Sequence, residues 1–187
     1  MNYHNITYPD MNNGDGLRVV LWLSGCSHNC YKCQNPQTHD PNSGIPFDES
    51  AKEELFRELD KDYISGLTLS GGDPLHEANL DGVLDLVNEI RLSCPNKSIW
   101  IYSGYTWSDI WCSEAALQSD YALDYCENVS INHKKRQQII SKCTVMVDGR
   151  YIDSQRNPSK KWTGSDNQHV IDISQSITQN KLVLYCD

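Results

Sequence analysis

An α/β fold, an open or partial (β/α) barrel around a largely parallel sheet, is what this chain predicts, and three observations predict it. Short apolar, β-branched runs alternate with stretches of helical period, the pattern of βαβ units. The 187 residues are enough for one core and too few for a full eight-fold barrel. The two most distinctive motifs each follow directly on an apolar run, where the carboxyl ends of parallel strands carry sites. Residues 1–187 are therefore read as a single domain.

The elements follow in order. Residues 17–24, LRVVLWLS, form a buried strand. A cysteine-bearing loop comes next, then a polar stretch with Gly44 and Pro46. DESAKEELFREL, from Asp48, reads as a helix: Asp48 is a candidate N-cap, and Ala51, Leu55 and Leu59 share a face. Glu53 and Arg57 stand at i,i+4. YISGLTLS, residues 63–70, is a second strand running into GGDP. Asn79 is placed to cap a helix striped by Leu80, Val83, Leu84, Val87 and Ile90, weakened at Gly82 by ~1 kcal/mol relative to alanine and closed before Pro95. KSIWIYSG, residues 97–104, and CTVMVDG, residues 143–149, are further strands. QHVIDIS and KLVLYC read as short strands near the end, and 105–142 as helical in parts.

Composition narrows the function classes. Sixteen basic against 25 acidic residues leave a net charge of −9, which argues against broad nucleic-acid or membrane-surface binding. The basic run HKKRQQ, residues 133–138, reads as a solvated helix face, and the positive charge over 150–161 as a basic loop. The apolar run 19–23 is far too short to span a bilayer. MNYHNITYPD has neither the basic nor the apolar segment of a secretion signal. A cytoplasmic location is expected, where eight cysteines point to metal or redox chemistry before disulfides.

Five of those cysteines, Cys94, Cys112, Cys126, Cys143 and Cys186, show no ligand spacing. The other three, Cys26, Cys30 and Cys33 in SGCSHNCYKCQNP, stand as C-x3-C-x2-C. Thiolates suit zinc and iron–sulfur clusters. A closed zinc site wants four ligands. His28 or His39 could complete one, but His28 would have to fold back between two ligands. A 4Fe–4S cube held at three irons leaves the fourth for substrate or cofactor, as open zinc sites do.

C-x3-C-x2-C directly after the first strand of a short β/α chain resembles the radical S-adenosylmethionine superfamily. The stretches NGDGLRVVLWLSGCSHNCYKCQNPQT, TLSGGDPL, IWIYSGYTW, VMVDGRY and NPSKKWTGSDNQHVID look like those of the proteins that activate the anaerobic ribonucleoside-triphosphate reductase. The opening MNYHN fits the same family. The likeness covers residues 2–107 and 144–172, and nothing is carried onto 108–142. Two positions depart from it: Lys32 stands where many superfamily members have an aromatic, and NGDGLR lacks the proline of related enzymes.

The resemblance implies a glycyl-radical activating enzyme. Cys26, Cys30 and Cys33 would ligate one 4Fe–4S cluster. S-adenosyl-L-methionine would chelate the open iron and be cleaved reductively, and the 5′-deoxyadenosyl radical would take a hydrogen atom from a glycine of the reductase large subunit. A reduced flavodoxin or similar donor would supply the electron. Lys32, Cys33 and Gln34 would lie against the cofactor, and Ser70, Gly71, Gly72, Asp73 and Pro74 would form the turn whose carbonyls meet its ammonium group, with Asp73 as an added acceptor. Ser103 and Gly104 are pocket candidates. Trp162, Gly164 and Asn167 serve partner docking or packing. The alternatives are a non-enzymatic zinc or iron–sulfur interaction module and a radical enzyme acting on a small molecule.

Overall fold

The computed structural model describes residues 1–111 and 123–186. Its strands are β1 (Asn2–Asp10), β2 (Leu17–Leu23), β3 (Ile45–Pro46), β4 (Ile64–Gly71), β5 (Ser98–Tyr102), β6 (Val145–Asp148) and β7 (His169–Asp172). Its helices are α1 (Glu49–Leu59), α2 (Leu80–Ser93), α3 (Trp107–Trp111), α4 (Leu123–Ser141) and α5 (Ile173–Gln179). The strands make one sheet in the order β3-β1-β2-β4-β5-β6-β7. Among the described residues no pairing joins β3 to β7, so the sheet is open rather than a closed barrel. It is also mixed. β2, β4, β5 and β6 are mutually parallel, while β1, β3 and β7 add antiparallel edges.

Strand alternation divides the core in two. Val19, Leu21 and Leu23 of β2, Leu67 and Leu69 of β4, Ile99 and Ile101 of β5, Met146 and Ile171 face the helices, where they meet Leu55, Leu59, Val83, Val87, Ile90 and Ile139. The opposite face carries a smaller cluster of Trp100, Val145, Val147 and Val170, flanked by Tyr102, Trp162 and Cys186. Fully buried Arg18 lies beside it, with its guanidinium 5.4 Å from the Trp100 ring centre. Its five N–H groups reach Thr68 Oγ1, Ser98 Oγ and the carbonyls of Asp15, Leu67 and Ser98. Burial lowers its pKa to about 10.

Several local expectations change. β1 and α5 are elements the sequence reading lacks. The expected terminal strand over KLVLYC is reduced to a single bridge, Ile171 to Leu184. From there Tyr185 turns across the sheet, its ring 5.3 Å from Trp100 and its hydroxyl donating to Asp15 at 2.8 Å. Asp48 caps α1 through the Ala51 N–H, as expected. Asn79 makes no side-chain cap for α2; its backbone is already helical there. Arg57 pairs with Glu58 rather than Glu53. The 133–138 run is not simply solvated: Arg136 donates to the Leu75 carbonyl and the Tyr105 hydroxyl, and Lys135 pairs with Asp81. Cys112 lies outside the described residues. Among the described residues no helix is long and apolar enough to cross a membrane.

Candidate metal and cofactor site

β2 and β4 are parallel neighbours in register, Leu23 beside Gly71. The cysteine loop and the glycine-rich turn therefore leave the sheet side by side. Their backbones then bond directly: Gly72 N–H to the Leu23 carbonyl and Asp73 N–H to the Gly25 carbonyl, each at 2.7 Å. Asn79 donates its amide N–H groups to the Ser24 and Asp73 carbonyls. A Cβ on Gly72 would lie 2.5 Å from the Gly25 carbonyl oxygen, and one on Gly71 2.6 Å from the Leu23 nitrogen. Both glycines are needed because one chain passes so close to the other.

The loop is shaped by its own turns. Gly25, Asn29 and Lys32 take positive φ, and Cys33 N–H bonds the Cys30 carbonyl at 3.1 Å. Its base is stitched to the returning chain through the Thr38 and His39 carbonyls. Asn35 N–H points at the Cys33 sulfur, 3.4 Å away. Burial pushes the Cys26 thiol up to about 11, opposed by backbone N–H groups of His28 and Asn29 aimed at the same sulfur. N–H groups so aimed are what stabilise a thiolate once metal binds, and they are one lever on a cluster's reduction potential.

Cys26, Cys30 and Cys33 line one cavity of about 140 Å³ together with Gly72, Asp73, Ser103, Gly104, Gly149 and Arg150. That is several times the ~30 Å³ share of one water. Among the described residues no three His, Cys, Asp or Glu side chains converge as ligands of a single ion. His28 is committed at both ring nitrogens, to Asp73 and to Arg150, and His39 does not line the cavity. A soft three-thiol donor set on a roomy cavity, with backbone N–H groups turned to the sulfurs, fits an iron–sulfur cluster.

Of the predicted cofactor residues, Cys33, Gly72 and Asp73 face the cavity. Ser70, Gly71 and Pro74 do not line it. Lys32 and Gln34 are exposed, with the Lys32 ammonium 2.9 Å from Asp153. The Asp73 carboxylate is already saturated by Leu75 N–H, Ser103 Oγ, Gly104 N–H and His28 Nε2.

Tyr102, Val147, Tyr151 and Gln168 also line the cavity, and sequence reasoning missed them. Tyr102 and Val147 come from β5 and β6, and Tyr151 and Gln168 from the far wall, which the polar segment 150–168 builds. Gln168 accepts from the N–H groups of Gly164 and Ser165 and donates to the Gly149 carbonyl. Asn167 donates to the Arg150 carbonyl. Trp162 packs edge-on to Trp100, ring centres 5.7 Å apart. Gly164, Asn167 and Trp162 thus shape this wall.

An open α/β sheet with three thiols gathered at its strand ends is the architecture of a cluster-binding domain, and residues 12–171 match the family model described as a 4Fe-4S single cluster domain. The chain is 35% identical over 172 residues to the anaerobic ribonucleoside-triphosphate reductase-activating protein of Escherichia coli K12, covering 91% of this chain and 97% of that one. Its counterpart in Vibrio cholerae is 37% identical with the same coverage. The one in Enterobacteria phage T4 is 36% identical over 91% of this chain and 93% of that one. The chain belongs to the family of anaerobic ribonucleoside-triphosphate reductase-activating proteins.

Proposed function

We propose that this chain activates an anaerobic ribonucleoside-triphosphate reductase by placing a glycyl radical on its large subunit. The observation that carries the reading is the meeting of three thiols and the glycine-rich turn on one cavity, within a chain 32–37% identical to activating proteins. Cys26, Cys30 and Cys33 would hold the 4Fe–4S cluster, leaving one iron open. When bound and reduced, it supplies the electron that cleaves S-adenosylmethionine to a carbon radical able to take hydrogen from a glycine.

The chain's own groups position and insulate. Gly72, Ser103 and Gly104 give S-adenosylmethionine a wall of backbone and small side chains beside Cys33. The Asp73 carboxylate, filled by protein donors, fixes that wall. Lys32, Gln34, Ser70, Gly71 and Pro74 act through backbone conformation and support. Free thiols at Cys26, Cys30, Cys33, Cys94 and Cys143 suit a reducing cytoplasm, with a flavodoxin-like protein as electron donor.

Mixing anaerobically reconstituted chain, S-adenosylmethionine, reductant and the reductase should release 5′-deoxyadenosine and produce a glycyl radical signal on the reductase. A reconstituted, reduced sample that releases none rejects the reading.

A further inference from the structure

We infer that His28 is a positioning residue: it locks the cysteine loop to the glycine-rich turn through Asp73, and Gly104 is the gap that admits its ring. The inference rests on the cluster reading above and goes beyond it. His28 sits between two of the three proposed ligands, yet its side chain is only 6% exposed and that of Asp73 2%.

The hydrogen bonds fix the ring's orientation. Arg150 Nε can only donate, and it lies 3.1 Å from His28 Nδ1. Nδ1 is therefore the acceptor, the ring proton sits on Nε2, and Nε2 donates to Asp73 Oδ2 at 2.7 Å. The ring edge rests on Tyr105, centres 4.8 Å apart, and Tyr105 is held by Arg136.

Asp73 passes the constraint on. Its carboxylate also takes Leu75 N–H from its own turn at 2.8 Å, and Ser103 Oγ and Gly104 N–H from the end of β5 at 2.9 and 3.0 Å. One buried carboxylate thus ties together the cysteine loop, the turn and the end of β5. Gly104 gives the independent sign that this packing is built in. A Cβ there would lie 2.3 Å from His28 Cδ2 and 2.6 Å from Nε2. The Cys3His zinc alternative loses its nearest fourth ligand for the same reason.

The test compares His28→Leu, His28→Gln and Gly104→Ala with the unaltered chain. Glutamine keeps an N–H at about the reach of Nε2; leucine keeps bulk alone. In the chain before reconstitution, amide exchange over residues 24–35 should quicken about tenfold in His28→Leu and Gly104→Ala, the scale of one hydrogen bond to a charged group. After reconstitution His28→Leu should still take up iron, since the three thiols remain, and bind S-adenosylmethionine about tenfold more weakly. His28→Gln should bring both readings back to within about threefold of the unaltered chain. Unchanged exchange and affinity in His28→Leu overturns the inference. So does a His28→Gln as impaired as His28→Leu, which would assign the effect to ring packing on Tyr105. Failure of the unaltered chain to bind S-adenosylmethionine would instead refute the functional reading, while the exchange comparison would still decide the role of His28.

Discussion

Gly72 shows at one residue how the site is assembled. Its missing Cβ lets the turn pass the cysteine loop at backbone distance. Gly72→Ala should cost about 1–3 kcal/mol in denaturant unfolding and weaken cluster retention, because the clash is with backbone that cannot rotate away. Arg18 is the contrasting case, a buried cation with every N–H bonded. Arg18→Met strands those acceptors and should destabilise by about 3 kcal/mol, read as a lower urea midpoint at unchanged slope. Cys30→Ala should abolish iron uptake, whereas Cys94→Ala, beyond the other end of the sheet, should keep about four irons per chain. The cysteines are legible in sequence because ligand spacing is local. The partners of Asp73 are not, since His28 and Ser103 lie 45 and 30 residues away. The glycine pair is legible as a close approach, but what it approaches is the neighbouring loop's backbone, which only the sheet pairing reveals.

Among elements, α1 and α2 are readable from their buried stripes, and β2, β4, β5 and β6 from apolar runs buried on both faces. β1 escapes because it is polar. Tyr3 and Ile6 are its only buried apolar side chains, and its partners are β2 and the two-residue β3. Arg57 and Arg136 show where surface patterning misleads. Helical spacing offers Arg57 a partner at Glu53, but the ion pair it makes is with its sequence neighbour Glu58; Arg136 looks solvated and instead clamps Tyr105. The 150–168 segment has no period at all, and its order comes from side-chain-to-backbone bonds such as those of Gln168. Asp48→Ala removes a cap remote from the cavity. It should lower stability by about 1 kcal/mol and leave iron content and cofactor cleavage unchanged. Loss of the cluster in that variant would show that α1 is coupled to the site.

At the scale of the whole molecule, the parallel centre of the sheet decides the outcome. Four neighbouring strands with one direction bring the cysteine loop, the glycine-rich turn, the 103–104 turn and the 149–151 turn to one rim. The antiparallel strands at the edges add breadth without adding to the cavity, which is why a reading that expected a largely parallel partial barrel still placed the two main motifs together. Helices cover one face and leave the other to Arg18, Trp100 and the chain's last turn. The central claim is a 4Fe–4S cluster with one iron open to S-adenosylmethionine. Electron paramagnetic resonance of the reduced, reconstituted protein, recorded before and after adding S-adenosylmethionine, tests it most directly. The account predicts a cluster signal that shifts on addition; a spectrum that stays unchanged, or a protein that holds zinc in place of iron, would contradict it.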